Sequence, residues 1–158
     1  MTPENFAHLR RARDLIDREY SRPLDLTLSH CFIQVHDQDE ALAFYRDVLG
    51  LEVRVDAPLE WFRWLTVGPS AQPDIEIGLM PVGMGRQEDQ ETLQALLAKG
   101  ALNGVIFATG DVDATFEQIR AAGAEVLQEP IDQPYGVRDC AFRDPSGNMV
   151  RFSTRLKN

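Results

Sequence analysis

Val35-His36-Asp37, leading to Gly50-Leu51-Glu52-Val53, is written a second time as Thr109-Gly110-Asp111 leading to Gly123-Ala124-Glu125-Val126. Each copy runs strand, Asp, amphipathic helix, Gly, and then a strand carrying Glu-Val. The offset is 74 at the Asp and 73 at the Gly. A shared dipeptide arises by chance; a shared order of elements at one spacing marks a duplicated unit.

Working outward, His30, Phe32 and Gln34 alternate with Cys31, Ile33 and Val35, the period-two pattern of a strand. Asp37 is placed to cap a helix over 39–48, whose apolar face is Ala41, Leu42, Phe44, Tyr45 and Val48, and Gly50 suits its left-handed end. Strands are predicted near 51–56, 61–67 and 74–80, then a helix over 89–99. In the second copy, strands are predicted near 125–128, 137–143 and 148–155, with a tight turn at Asp144-Pro145-Ser146-Gly147-Asn148. The chain therefore reads as an α+β fold of two βαβββ modules, forming a curved, incomplete-barrel sheet around a cleft. The inward side chains of eight strands would share that one cavity, a natural place for a small molecule.

Residues 3–20 read as a separate amphipathic helix, with Phe6, Leu9, Leu15, Ile16 and Tyr20 near one stripe and Pro23 at its exit. The expected division is an accessory helix at 1–25 and a main domain at 26–156. The chain has 158 residues and a net charge of −9. Residues 1–26 are balanced, so the acidity belongs to the main domain, which would repel a phosphate backbone. No apolar run is long enough to span a bilayer. These features point away from nucleic acid and membrane and toward a cytoplasmic address. Cys31 and Cys140 are expected to sit in strands as small, reduced hydrophobes.

His30, Asp37 and the run Ala43-Phe44-Tyr45-Arg46-Asp47-Val48-Leu49-Gly50-Leu51 together resemble the signature of vicinal-oxygen-chelate proteins, the glyoxalase, bleomycin-resistance and dioxygenase group. Arg143-Asp144-Pro145-Ser146-Gly147-Asn148 is similar to that family's closing turn. The resemblance spans roughly residues 26–156. Separately, residues 8–24 resemble the start of an arabinose-regulator-type (AraC) DNA-binding domain, but no second helix follows to read a groove.

In metal-dependent members the ligands come from the first and last strands of each module. The resemblance puts His30 and Glu76 at the first two positions, both sensible donors to a divalent transition metal. The second-module counterparts fall on Gly104 and Arg151, and neither supplies a ligand. Two other uses suit Arg151: pairing with Glu76 in place of a metal, or receiving an anionic group of a ligand. Phe32, Trp64 and Tyr135 are candidate walls of the cleft, with Phe62 and Trp64 on one face of their strand.

The preferred expectation is a bleomycin-resistance-like protein that binds a small organic ligand through His30, Phe32, Trp64, Glu76, Tyr135 and Arg151, with no cofactor required. One alternative is a divalent-metal-dependent lyase, isomerase or dioxygenase in which His30 and Glu76 hold the metal. Another is a ligand-sensing accessory to a regulator. The family habit of pairing, and the exposed edges of an open sheet, lead us to expect a homodimer.

Overall fold

The computed structural model describes residues 10–11, 13–14, 25–83, 87–102 and 104–156. Arg10, Arg11, Arg13 and Asp14 are helical, and the rest of the predicted 3–20 helix lies outside the described residues.

The first module comprises β1 (His30–Val35), α1 (Gln38–Leu42), a π-helical turn (Ala43–Val48), β2 (Glu52–Pro58), β3 (Arg63–Gly68) and β4 (Glu76–Pro81). A 3₁₀ turn (Gln87–Asp89) and α2 (Gln90–Ala98) lead to the second module: β5 (Val105–Ala108), α3 (Val112–Ala121), β6 (Glu125–Gln133), β7 (Val137–Arg143) and β8 (Met149–Arg155). The strands form two four-stranded sheets, β1-β4-β3-β2 and β5-β8-β7-β6. In each, the first strand runs parallel to the last and the others are antiparallel. These are the two expected βαβββ modules.

Local signals explain the helix boundaries. Asp37 accepts from the N–H groups of Asp39 and Glu40, and Asp111 from that of Ala114, satisfying donors that a helix start leaves open. Gly50 has φ +74°, the left-handed conformation that ends the first helix at little cost. The wide turn at Ala43–Val48 departs from the predicted α-helix. Within it Phe44 and Tyr45 are both buried in the core.

A further sign of duplication was not visible in the linear pattern. Arg63 on β3 bonds Asp39 of α1 and Asp56 of β2. Arg138 on β7 repeats this with Asp113 of α3 and Asp132 of β6. Each arginine pins its helix to its own sheet. Burial is slight and the three partners form a network, so each set fixes geometry more than it adds stability.

One core joins the modules. It contains Val35, Leu65, Val67 and Leu79 from the first sheet, Cys140, Phe142, Val150 and Phe152 from the second, and Tyr45, Phe116 and Ile119 from the helices. The closing turn of the second module completes the junction. Asp144 Oδ2 accepts from the Tyr45 hydroxyl at 2.9 Å, Ser146 Oγ accepts from the His36 N–H at 2.9 Å, and Asn148 Nδ2 donates to the Gln34 carbonyl at 2.8 Å. The covered faces of both sheets look into this shared core, so their open faces look away from it. That corrects the expectation that eight strands of one chain share a single cavity: helices packed between the sheets hold the two open faces apart.

Candidate functional site

On the open face of the first sheet, β1 and β4 set His30 beside Glu76 and Phe32 beside Gly78. The bare α-carbon of Gly78 is what admits the Phe32 ring, since a Cβ there would lie 2.6 Å from Phe32 Cδ1. Trp64, on β3, meets the ring of His30 at 6.2 Å, that of Phe32 at 6.1 Å and that of Phe62 at 6.3 Å, the last two nearly edge-on. Such edge-to-face contacts fix the orientation of the rings. Phe32, Gln34, Trp64, Met80, Leu93 and Leu102 line a cavity of about 740 Å³, to which Asn148 of the second module also contributes.

A polar end adjoins this aromatic wall. Glu76 Oε2 accepts from the Thr66 hydroxyl at 2.6 Å and lies 3.6 Å from His30 Nε2. Thr66 is fully buried, and its oxygen also receives the Val55 N–H. The histidine's other nitrogen bonds Ser29. Glu76 is therefore oriented from below, with its second oxygen and the imidazole edge left at the half-open surface. Thr66 was missed in the sequence, and only its place two residues beyond Trp64 on the same face could have flagged it.

The open face of the second sheet carries a different group. Arg151 Nη1 donates to Asp139 Oδ2 at 2.7 Å and to Gln128 Oε1 at 3.2 Å. Asp139 Oδ1 accepts from the Gln128 and Gln133 amides. Asp139 is 1% exposed, and burial pushes its carboxyl up. The bonds from Gln133, Gln128 and Arg151 outweigh that and hold it below the ordinary carboxylate range. The predicted Glu76–Arg151 pair does not form, because each finds its partner on its own sheet. Tyr135 is 70% exposed at the β6–β7 turn and joins neither cluster. Trp61, 75% exposed, meets the Phe62 ring at 4.5 Å at the edge of the wall; β3 begins at Arg63 rather than 61, because Leu59 N–H and Phe62 C=O close a turn first.

Pairing also revises the correspondence between modules. Phe32 lies across from Gly78, and Ile106 lies across from Arg151. Thr66 pairs Gly78, and Ala141 pairs Arg151. Arg151 is thus the counterpart of Gly78, and Met149 that of Glu76, while His30 still matches Gly104. The cause is the β7–β8 turn, which is two residues shorter than the β3–β4 connection and so shifts the sequence offset. A histidine, a carboxylate, a glycine and a thioether are not the donor set of a divalent-metal centre. Among the described residues no group of three or more His, Cys, Asp and Glu gathers. The residues present do not fit the family's metal.

The described residues contain no helix long and apolar enough to cross a membrane, and both cysteines are free. The family model for the Glyoxalase/Bleomycin resistance protein/Dioxygenase superfamily matches residues 27–152. The crystal structure of UcmS2 is 39% identical, with a TM-score of 0.77, covering 82% of this chain and 98% of that one. TnmS3, an antibiotic binding protein from Streptomyces sp. CB03234, is 27% identical with a TM-score of 0.68, covering 85% and 99%. A probable lactoylglutathione lyase from Synechocystis sp. (strain ATCC 27184 / PCC 6803 / Kazusa) is 26% identical over 79% of this chain and 92% of its own length.

Proposed function

The chain belongs to the glyoxalase/bleomycin resistance protein/dioxygenase superfamily, and on that premise we propose that it binds a small, flat organic ligand without using a metal. The observation that carries this reading is the aromatic wall of Phe32, Phe62 and Trp64, set beside an oriented Glu76. Sequestration needs only shape and polar complementarity, and the wall and polar end supply both. The likeness to the antibiotic-binding TnmS3 supports it further.

The functional unit in this reading is a homodimer. Each open face exposes apolar side chains, Phe32 on the first sheet and Ile106 and Ile131 on the second. Setting the first sheet of one copy against the second sheet of its partner would cover both and turn two shallow faces into one cleft. The ligand would then lie between Trp64 of one protomer and the Arg151 face of the other.

Equilibrium dialysis with three flat tricycles, fluorene, 9-fluorenone and fluorene-9-carboxylate, tests the proposal. At least one is expected to bind, and Trp64→Ala should weaken its Kd by about tenfold or more, the scale of a buried aromatic anchor. No binding by any of the three, or binding indifferent to Trp64→Ala, sinks the reading. The His30–Glu76 pair favours one rival, a metal-dependent lyase, isomerase or dioxygenase. Elemental analysis of protein purified without chelator separates them: we expect well under one metal per chain. A stoichiometric metal lost in Glu76→Ala would establish the rival instead.

A further inference from the structure

We propose that Arg151 is a ligand-binding residue whose guanidinium donates to a neutral carbonyl oxygen, at the place where the first sheet leaves an empty glycine. This rests on the aromatic-ligand reading above and names the functional group that the ligand must carry. It rests as well on the homodimer proposed there, and two observations support it. Gly78 and Arg151 occupy the same register position in the two modules, each paired to its first and third strands in the same way. In the first sheet that spot is bare and Phe32 lies over it; in the second it holds a cation. In the homodimer proposed above, the guanidinium would stand opposite the aromatic wall.

The guanidinium is only half used. Nη1 serves Asp139 and Gln128, while Nη2 has only the weak acceptor Met149 Sδ, at 3.7 Å. Nε makes no bond among the described residues and is not among their buried unpartnered atoms, so it keeps some exposure on a side chain that is 20% exposed. A fork of unused donors held rigid from behind is what a carbonyl oxygen requires. Charge decides between a neutral and an anionic acceptor. Asp139, nearly fully buried and fixed by two glutamine amides, already neutralises the arginine. The main domain is acidic as well. An added carboxylate would meet a balanced pair in a negative field, whereas a ketone-type oxygen accepts without bringing charge. Asp139, Gln128 and Gln133 are positioning residues that act through Arg151.

The same three tricycles test this, because fluorene has a methylene where 9-fluorenone has its carbonyl. Wild type is expected to prefer 9-fluorenone over fluorene by about tenfold or more, the effect of one charge-assisted hydrogen bond, and to bind fluorene-9-carboxylate less well than 9-fluorenone. Arg151→Met alone would strand Asp139, so the decisive variant is Arg151→Met with Asp139→Asn, its fold checked by circular dichroism. In that variant the two neutral tricycles should bind equally, the advantage of 9-fluorenone over fluorene being lost. A carbonyl preference that survives the double substitution overturns the proposal and leaves the aromatic site standing. So does a wild-type preference for the carboxylate. Failure of all three to bind wild type overturns both, and Trp64→Ala, which should weaken the neutral pair alike, tells the two readings apart.

Discussion

Replacing Tyr45 by Phe removes one oxygen from the centre of the molecule, and the structure sets the size of the effect. Tyr45 is fully buried, and its hydroxyl donates to Asp144 Oδ2. Burial, the nearby charge and the bond to Asp144 push the phenol well above its ordinary range, so it remains a donor at any working pH. Asp144 also accepts the N–H groups of Ser146 and Asn148 on Oδ1 and the Asn148 amide on Oδ2. Three of four donors therefore survive Tyr45→Phe, and the ring keeps its edge contact with Phe44, so no cavity opens. The cost is one hydrogen bond to a buried carboxylate, about 1.5–3 kcal/mol. For a domain of this size that lowers Tm by roughly 3–12 °C. Differential scanning calorimetry reads it directly. A double-mutant cycle with Asp144→Ala should return a coupling of about 1 kcal/mol or more. A drop in Tm below about 1 °C, or no coupling, would refute the claim that this bond fastens the modules together.

Two further predictions follow from neighbouring features. Because the Asp139 carboxyl is held below its unfolded value, its stabilising effect is complete above about pH 4 and fades as pH falls through the depressed folded value. Acid unfolding followed by near-ultraviolet circular dichroism should be steeper in wild type than in Asp139→Asn, with no difference in slope between pH 5 and 8. Gly147 has φ +109°, and a Cβ there would run into the Leu97 carbonyl. Gly147→Ala should therefore cost at least about 2 kcal/mol in urea denaturation, and a smaller loss would mean that α2 yields easily.

The repeat at Asp37 and Asp111 made the fold legible, since caps, glycines and alternation are local features that survive in a linear string. Strand parity puts His30 and Phe32 on one face and Phe62 with Trp64 on another strand's face, while His30 and Glu76 were marked as site residues by the family resemblance. What sequence could not give was correspondence across the modules. Offsets count residues, whereas ladders count pairs, and a turn two residues shorter moved Arg151 onto the Gly78 position. Nor could it give the partners of Arg151 and Glu76. Asp139 and Thr66 lie on adjacent strands of the same sheets, and only the register brings them within reach. The separation of the two open faces depends on where the helices pack, which no periodicity records.

The ties between Gln34, His36 and Tyr45 and the turn at residues 144–148 join segments about a hundred residues apart. At a synthesis rate of about 5–20 residues per second, Tyr45 is made roughly 5–20 s before Asp144. Throughout that interval the first half lacks the partners that the 144–148 turn supplies to Gln34, His36 and Tyr45. Truncations that stop short of residue 148 should accordingly be chaperone substrates rather than smaller, independently stable proteins.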